Sequence, residues 1–141
     1  GDWSSDVCSS DLEREGIIQF LLIEGEAQKE VIRIKETCDI YIDQIHNRGG
    51  WGYGMSSIES LSMGLVCMTE FVDEYRNFIP DHPFIDINKK TLKKKIIQLS
   101  KNKQMLIQKK IESKKWVKKY HDIDSVCSSL YNYYKKNSWM K

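Results

Sequence analysis

A chain of 141 residues holds one α/β core and not two, so a function that requires two domains is incomplete within it. The net formal charge of +2 conceals an uneven distribution, because residues 13–88 carry 14 acidic and 6 basic side chains whereas residues 89–141 carry 3 and 16. No apolar run approaches the ~20 residues needed to cross a bilayer, and Cys38, Cys67 and Cys127 show neither CxxC spacing nor histidines at ligand intervals. No metal site is expected from that pattern, and free buried thiols in a reducing compartment are.

The run from Asp2 to Leu12, DWSSDVCSSDL, has neither helical nor strand periodicity and four of its residues are serine. It resembles, along its whole length, the in-frame translation of a common sequencing-library adapter. Gly1–Leu12 is therefore expected to be a non-native, disordered segment outside the fold, which makes the lack of a signal peptide uninformative.

Beyond it, GIIQFLLIEG, residues 16–25, is a short apolar run closed by glycine, as in a strand buried on both faces of a parallel sheet. AQKEVIRIKETC, residues 27–38, places Val31, Ile34 and Cys38 at helical intervals among charges and predicts an amphipathic helix. In DIYIDQI, residues 39–45, Ile40 and Ile42 alternate with Tyr41 and Asp43, a strand pattern; strand, helix and strand together predict a right-handed βαβ unit.

The texture then changes to HNRGGWGYG, with four glycines in six residues, which leads into MSSIESLSMG. That segment predicts a short helix capped by Ser56 or Ser57 and ended by Gly64. Leu65–Thr69 is the next buried strand, and Phe84–Ile87, after Pro80 and Pro83, a short edge strand. From Thr91 three helical segments follow, TLKKKIIQLSKN, KQMLIQKKIESKKWVKKY and DIDSVCSSLYNYYKKN, the last behind Asp122 or Asp124 as cap. Leu92, Ile96, Leu99, Leu106, Ile107, Ile111 and Val117 supply their apolar stripes. The predicted fold is α/β: a Rossmann-like parallel sheet of about four strands flanked by helices, spanning residues 13–141, with a helical C-terminal region from about residue 89.

The chemistry concentrates in Gly49–Gly64. Glycines let backbone approach a ligand that a Cβ would block, and a helix start offers unpaired N–H groups with a partial positive charge. At the carboxyl end of a parallel strand this makes an anion site of pyrophosphate size. Glu59, one turn into the helix, adds a carboxylate able to accept both hydroxyl protons of a ribose.

In this order, DIYIDQI, GGWGYGMSSIESLSMG and LVCMT resemble the donor-binding, C-terminal half of GT-B glycosyltransferases of the group 1, family 4-like kind. The likeness extends to WVKKYHDIDSVCSSLYNYY, which is similar to closing helices that often carry a tyrosine-histidine pair. It implies sugar transfer, of hexosyl type, from a nucleoside-diphosphate sugar to a carbohydrate or lipid-linked acceptor, the acceptor being held by a second, N-terminal domain absent from this chain. The fragment alone would then be inactive. No cofactor is implied beyond the nucleotide-sugar donor.

Glu59 matches the second of the family's paired glutamates, which holds ribose, and Gly52, Tyr53, Gly54, Met55 and Ser56 match the loop and helix start beside the diphosphate. The first glutamate belongs eight positions earlier, where Trp51 stands. Asp43, Gln44 or His46, at the end of the preceding strand, are the substitutes for its contact to the transferred sugar. The arginine and lysine that neutralise the leaving diphosphate precede this region in the family; Arg48 is a partial replacement. Asp43, His46 and Arg48 are accordingly the weak catalytic candidates.

Two other readings fit parts of the chain. The lysine-rich third suits a basic nucleic-acid-binding module, although its lysines flank apolar helix positions without the interleaved aromatics that hold bases, so nucleic acid is not the expected partner. A nucleotide-sugar epimerase shares the architecture but calls for acid and base residues that the sequence does not display. A cytoplasmic protein touching anionic lipid on the inner face of the membrane accommodates the charge.

Overall fold

The computed structural model describes residues 8–45, 54–71 and 81–137. In chain order these form α1 (Cys8–Arg14), α2 (Gln28–Lys35), β1 (Ile40–Ile42), α3 (Met55–Ser62), β2 (Val66–Thr69), β3 (Ile85–Asp86), α4 (Leu92–Lys101), α5 (Lys103–Tyr120) and α6 (Ile123–Lys136). The three strands make one parallel sheet in the order β1-β2-β3, with Ile40 opposite Val66, Ile42 opposite Met68, and Met68 in turn opposite Ile85. Helices flank this sheet, an α/β arrangement compatible with a Rossmann-like fold.

Side chains of a strand alternate between faces, and β2, the central strand, meets a core on each. Val66 and Met68 join Leu12, Ile45, Ile87 and the α4 stripe Leu92, Ile96 and Leu99 on one side. Cys67 joins Leu61 of α3, Phe71, Phe84 and Trp116 of α5 on the other. Every residue of β2 is therefore buried, the polar Thr69 included. Lys110 of α5 is ion-paired with Asp39 at the head of β1, which fixes the long helix against the sheet edge.

Several expectations are corrected. The run from Gly16 to Gly25 forms no strand: only Ile17 and Ile18 pack against the core, while Leu21 and Leu22 are 45% and 49% exposed. Gly16 and Gly25, at φ +74° and +66°, turn the chain at both ends of the run, and no ladder forms between them. Among the described residues the sheet thus has three strands, not four. The adapter-like segment, expected to lie outside the fold, contributes the start of α1, and Leu12 is fully buried against α4; residues 1–7 lie outside the described set.

Other differences are smaller. Ile107 and Ile111 are 49% and 44% exposed instead of buried, and of the three cysteines only Cys67 is buried, Cys127 being exposed. Gly64 closes α3 as expected, at φ +83°. The N-cap of α3 is Gly54, however, and neither Ser56 nor Ser57.

Candidate functional site

β1 ends at Ile42, and the ladder continues one step further through the Asp43 amide, which donates to the Met68 carbonyl at 2.9 Å. This pins Asp43 at the carboxyl edge of the sheet. Its Oδ2 accepts from the Gly54 amide at 3.2 Å and from Ser57 Oγ at 2.5 Å. A carboxylate placed so takes one backbone donor at the helix start and complements the helix dipole, so Asp43, one residue past β1, does part of what the serines were expected to do. Oδ1 accepts no hydrogen bond among the described residues. A Cβ at Gly54 would meet nothing within 4 Å among the described residues.

Behind this helix start lies a buried cation that the sequence reading passed over. Lys35, on α2, is 3% exposed; its Nζ donates to the Ser56 carbonyl at 3.3 Å, to Ser56 Oγ at 2.9 Å and to Glu59 Oε1 at 2.9 Å. These satisfy all three of an ammonium's donors, and the group also lies 4.6 Å from the centre of the Tyr41 ring. Lys35 falls four residues after Val31 and three before Cys38, on the apolar face of α2. That register was the one signal that marked it as inward.

Tyr41 donates its hydroxyl to Ser56 Oγ at 2.9 Å. Burial raises its pKa, and the bond to Ser56 opposes that only in part, so the group stays a phenol and a donor. Ser56 Oγ therefore accepts from both Lys35 and Tyr41, which uses both of its lone pairs. Its own hydroxyl hydrogen remains for an acceptor outside this group.

Glu59 is held by two residues of α2, accepting from Lys35 at Oε1 and from Gln28 Nε2 at Oε2, 2.7 Å away. Its side chain nevertheless keeps 28% of its surface exposed. Each carboxylate oxygen has capacity for a second donor. The arrangement is an acceptor fixed in place by a buried partner and open on one side.

Asp43, Gly54, Ser56 and Glu59 are thus brought together at one edge of the sheet, with Met55, 83% exposed, at the mouth of α3. His46, Arg48, Trp51, Gly52 and Tyr53 lie outside the described residues. Gln44 is engaged along the sheet, donating to the Glu70 carbonyl at 3.3 Å and accepting at its own carbonyl from the Glu70 amide at 2.9 Å. Beside it an open cleft of about 270 Å³ is lined by Ile45, Glu70, Asn88, Lys89 and Lys90, and Glu70 Oε2 is buried there without a hydrogen-bond partner among the described residues.

The tyrosine-histidine pair sits elsewhere. Tyr120 and His121 pack on Trp116 at ring separations of 5.7 and 4.8 Å, and the Tyr120 hydroxyl donates to Asp81 at 3.3 Å. Comparison of the chain with protein-family models, with curated proteins and with solved structures yields no match.

Proposed function

We propose that this chain is the nucleotide-sugar-binding half of a GT-B-type glycosyltransferase, in which the edge formed by Asp43, α3 and Glu59 holds the donor. The observation that carries this reading is the placement of Glu59: a carboxylate one turn inside a helix that starts at the carboxyl end of a parallel strand, held by a buried lysine and still open to solvent. Open α/β sheets bind ligands at that edge.

On this reading each residue has a definable task. Glu59 accepts from the ribose hydroxyls; Gln28 is the neighbour that must share or yield Oε2. The outward hydrogen of Ser56 and the exposed start of α3 face the diphosphate. Asp43 Oδ1 accepts from a hydroxyl of the transferred sugar, the contact for which Trp51 is no substitute. A carboxylate so close to a diphosphate repels it, so neutralising cations are required for transfer as well as for binding. Arg48 is a candidate, and the acceptor-binding domain is the other source. Transfer is thus a property of the two-domain protein, and nucleotide binding is what this chain can be asked for.

The test is calorimetric titration of the chain with ribonucleoside diphosphates and with their 2′-deoxy counterparts. A hydroxyl bonded to a charged acceptor contributes about 1.5–3 kcal/mol, so the ribose forms should bind about ten- to a hundredfold more tightly. Binding that is indifferent to the 2′-hydroxyl removes Glu59 from the ribose, and no heat with any nucleoside diphosphate removes the reading.

A further inference from the structure

Between Asp86 and Glu112 lie 25 residues with nine lysines and no carboxylate. α4 runs through this stretch with one face in the core, where Leu92, Ile96 and Leu99 are 2–3% exposed. Its other face, with Lys90, Lys93, Lys94, Ile97, Gln98 and Lys101, lines an open groove of about 550 Å³. Four lysines outside the groove are ion-paired: Lys35 with Glu59, Lys109 with Glu112, Lys110 with Asp39 and Lys119 with Asp81. None of the four groove lysines forms an ion pair among the described residues. Lys90, in the turn before the helix, gathers with Lys93 and Lys94 at the start of α4, and like charges held this close repel until anions meet them.

The lining narrows the class of anion. Among the described residues no aromatic side chain lines the groove, and single-stranded nucleic acid is held largely by stacking its bases on aromatics. What it offers is Ile97 and the hydrocarbon stems of four lysines beneath their ammonium groups. Such side chains lay their stems along an apolar boundary and reach phosphates with their heads, as at a bilayer surface. We propose that this face of α4 docks the protein on an anionic lipid bilayer.

Lys90 lines both this groove and the cleft at the sheet edge, so docking brings that edge to the headgroup layer. The docking surface stands on α4 and the turn before it. Joined to the donor-binding reading, and resting on it in this one respect, it selects a lipid-linked acceptor over a soluble carbohydrate.

Flotation of the chain with vesicles of phosphatidylcholine, with and without phosphatidylglycerol, tests the docking without any nucleotide, so the two readings fail separately. Binding should require phosphatidylglycerol and should collapse as salt rises from about 0.1 M to about 1 M, which shortens the Debye length from ~10 to ~3 Å. A lysine near an anionic surface contributes about a fivefold gain in partitioning, so replacing Lys90, Lys93, Lys94 and Lys101 by glutamine should lower it at least about a hundredfold. The same change at Lys103, Lys115, Lys135 and Lys136 matches the charge and should cost much less. Circular dichroism checks that both variants fold, and arginine at the four groove positions should restore binding. Equal binding to neutral vesicles, equal losses in the two glutamine variants, or binding to single-stranded RNA in preference to anionic vesicles would overturn the proposal.

Discussion

Replacing Glu59 by alanine should destabilise the fold before it says anything about ligands. Lys35 is 3% exposed, and Glu59 is the carboxylate that compensates its charge. After the substitution the ammonium keeps Ser56 as hydrogen-bond acceptor and the Tyr41 ring below it, but one donor is orphaned. Removing one partner of a fully buried pair costs about 3–5 kcal/mol. Glu59 is 28% exposed and water can follow it in, so a loss of about 2–3 kcal/mol is expected. With a urea slope of about 2 kcal/mol per molar, the unfolding midpoint followed by circular dichroism should fall by about 1–1.5 M. Adding Lys35→Met to Glu59→Ala removes the stranded charge and should recover most of that loss, because a buried pair replaced by apolar groups is often neutral. A midpoint shift below about 0.3 M for Glu59→Ala, or no recovery in the double variant, would refute the buried pair. The same reasoning is why deoxynucleotides, and not Glu59→Ala, test the ribose contact.

Two further outcomes follow from single positions. Gly64 has φ +83°, and a Cβ there would stand 2.8 Å from Lys114 Cε; the lysine tail can move, but the left-handed backbone cannot be relieved. Gly64→Ala should therefore cost about 1–2 kcal/mol and lower the melting temperature by about 4–8 °C, and an unchanged melt would refute the strain. His82 packs between Phe71 and Phe84, with Nδ1 buried and without a hydrogen-bond partner among the described residues. Burial, and next the charge of Lys109, hold its pKa below the ordinary histidine value. The unfolded chain then takes up the proton first, so this stability is present above about pH 6.5 and lost as pH falls toward the lowered folded value. His121, lowered by burial, adds in the same sense. Urea unfolding between about pH 7.5 and pH 5.5 should show stability falling with acid, and His82→Phe should flatten that slope; an unaltered slope would exclude His82 as its source.

Much of the frame is legible in the residues because each element's periodicity matches its surroundings. The α4 stripe of Leu92, Ile96 and Leu99, the four buried residues of β2 and the stop at Gly64 all follow local rules that the tertiary structure does not overrule. At the site, the start of α3 beside the end of β1 and the position of Glu59 one turn inside the helix follow from spacing alone. The partners of Glu59 do not: nothing local pairs it with Gln28 and Lys35 across 31 and 24 residues.

Among the described residues, local pattern by itself marked most helices and strands from residue 28 to 136 and the apolar face of α4. Only the tertiary structure decided what each face meets. The run 16–25 has the composition of a buried strand, but a strand exists through its hydrogen-bonded neighbour, and among the described residues no strand is assigned there. Lys35 shares the register of the apolar face of α2, but its charge can be buried there only because Glu59 and Ser56 arrive from another helix to compensate it. Asp43 reads as a candidate contact to the transferred sugar, and the folded chain also sets its Oδ2 against the Gly54 amide at the start of α3. Apolar periodicity is a property of one segment, whereas hydrogen-bond pairing and charge compensation are properties of two, and the second becomes known only when the chain has brought them together.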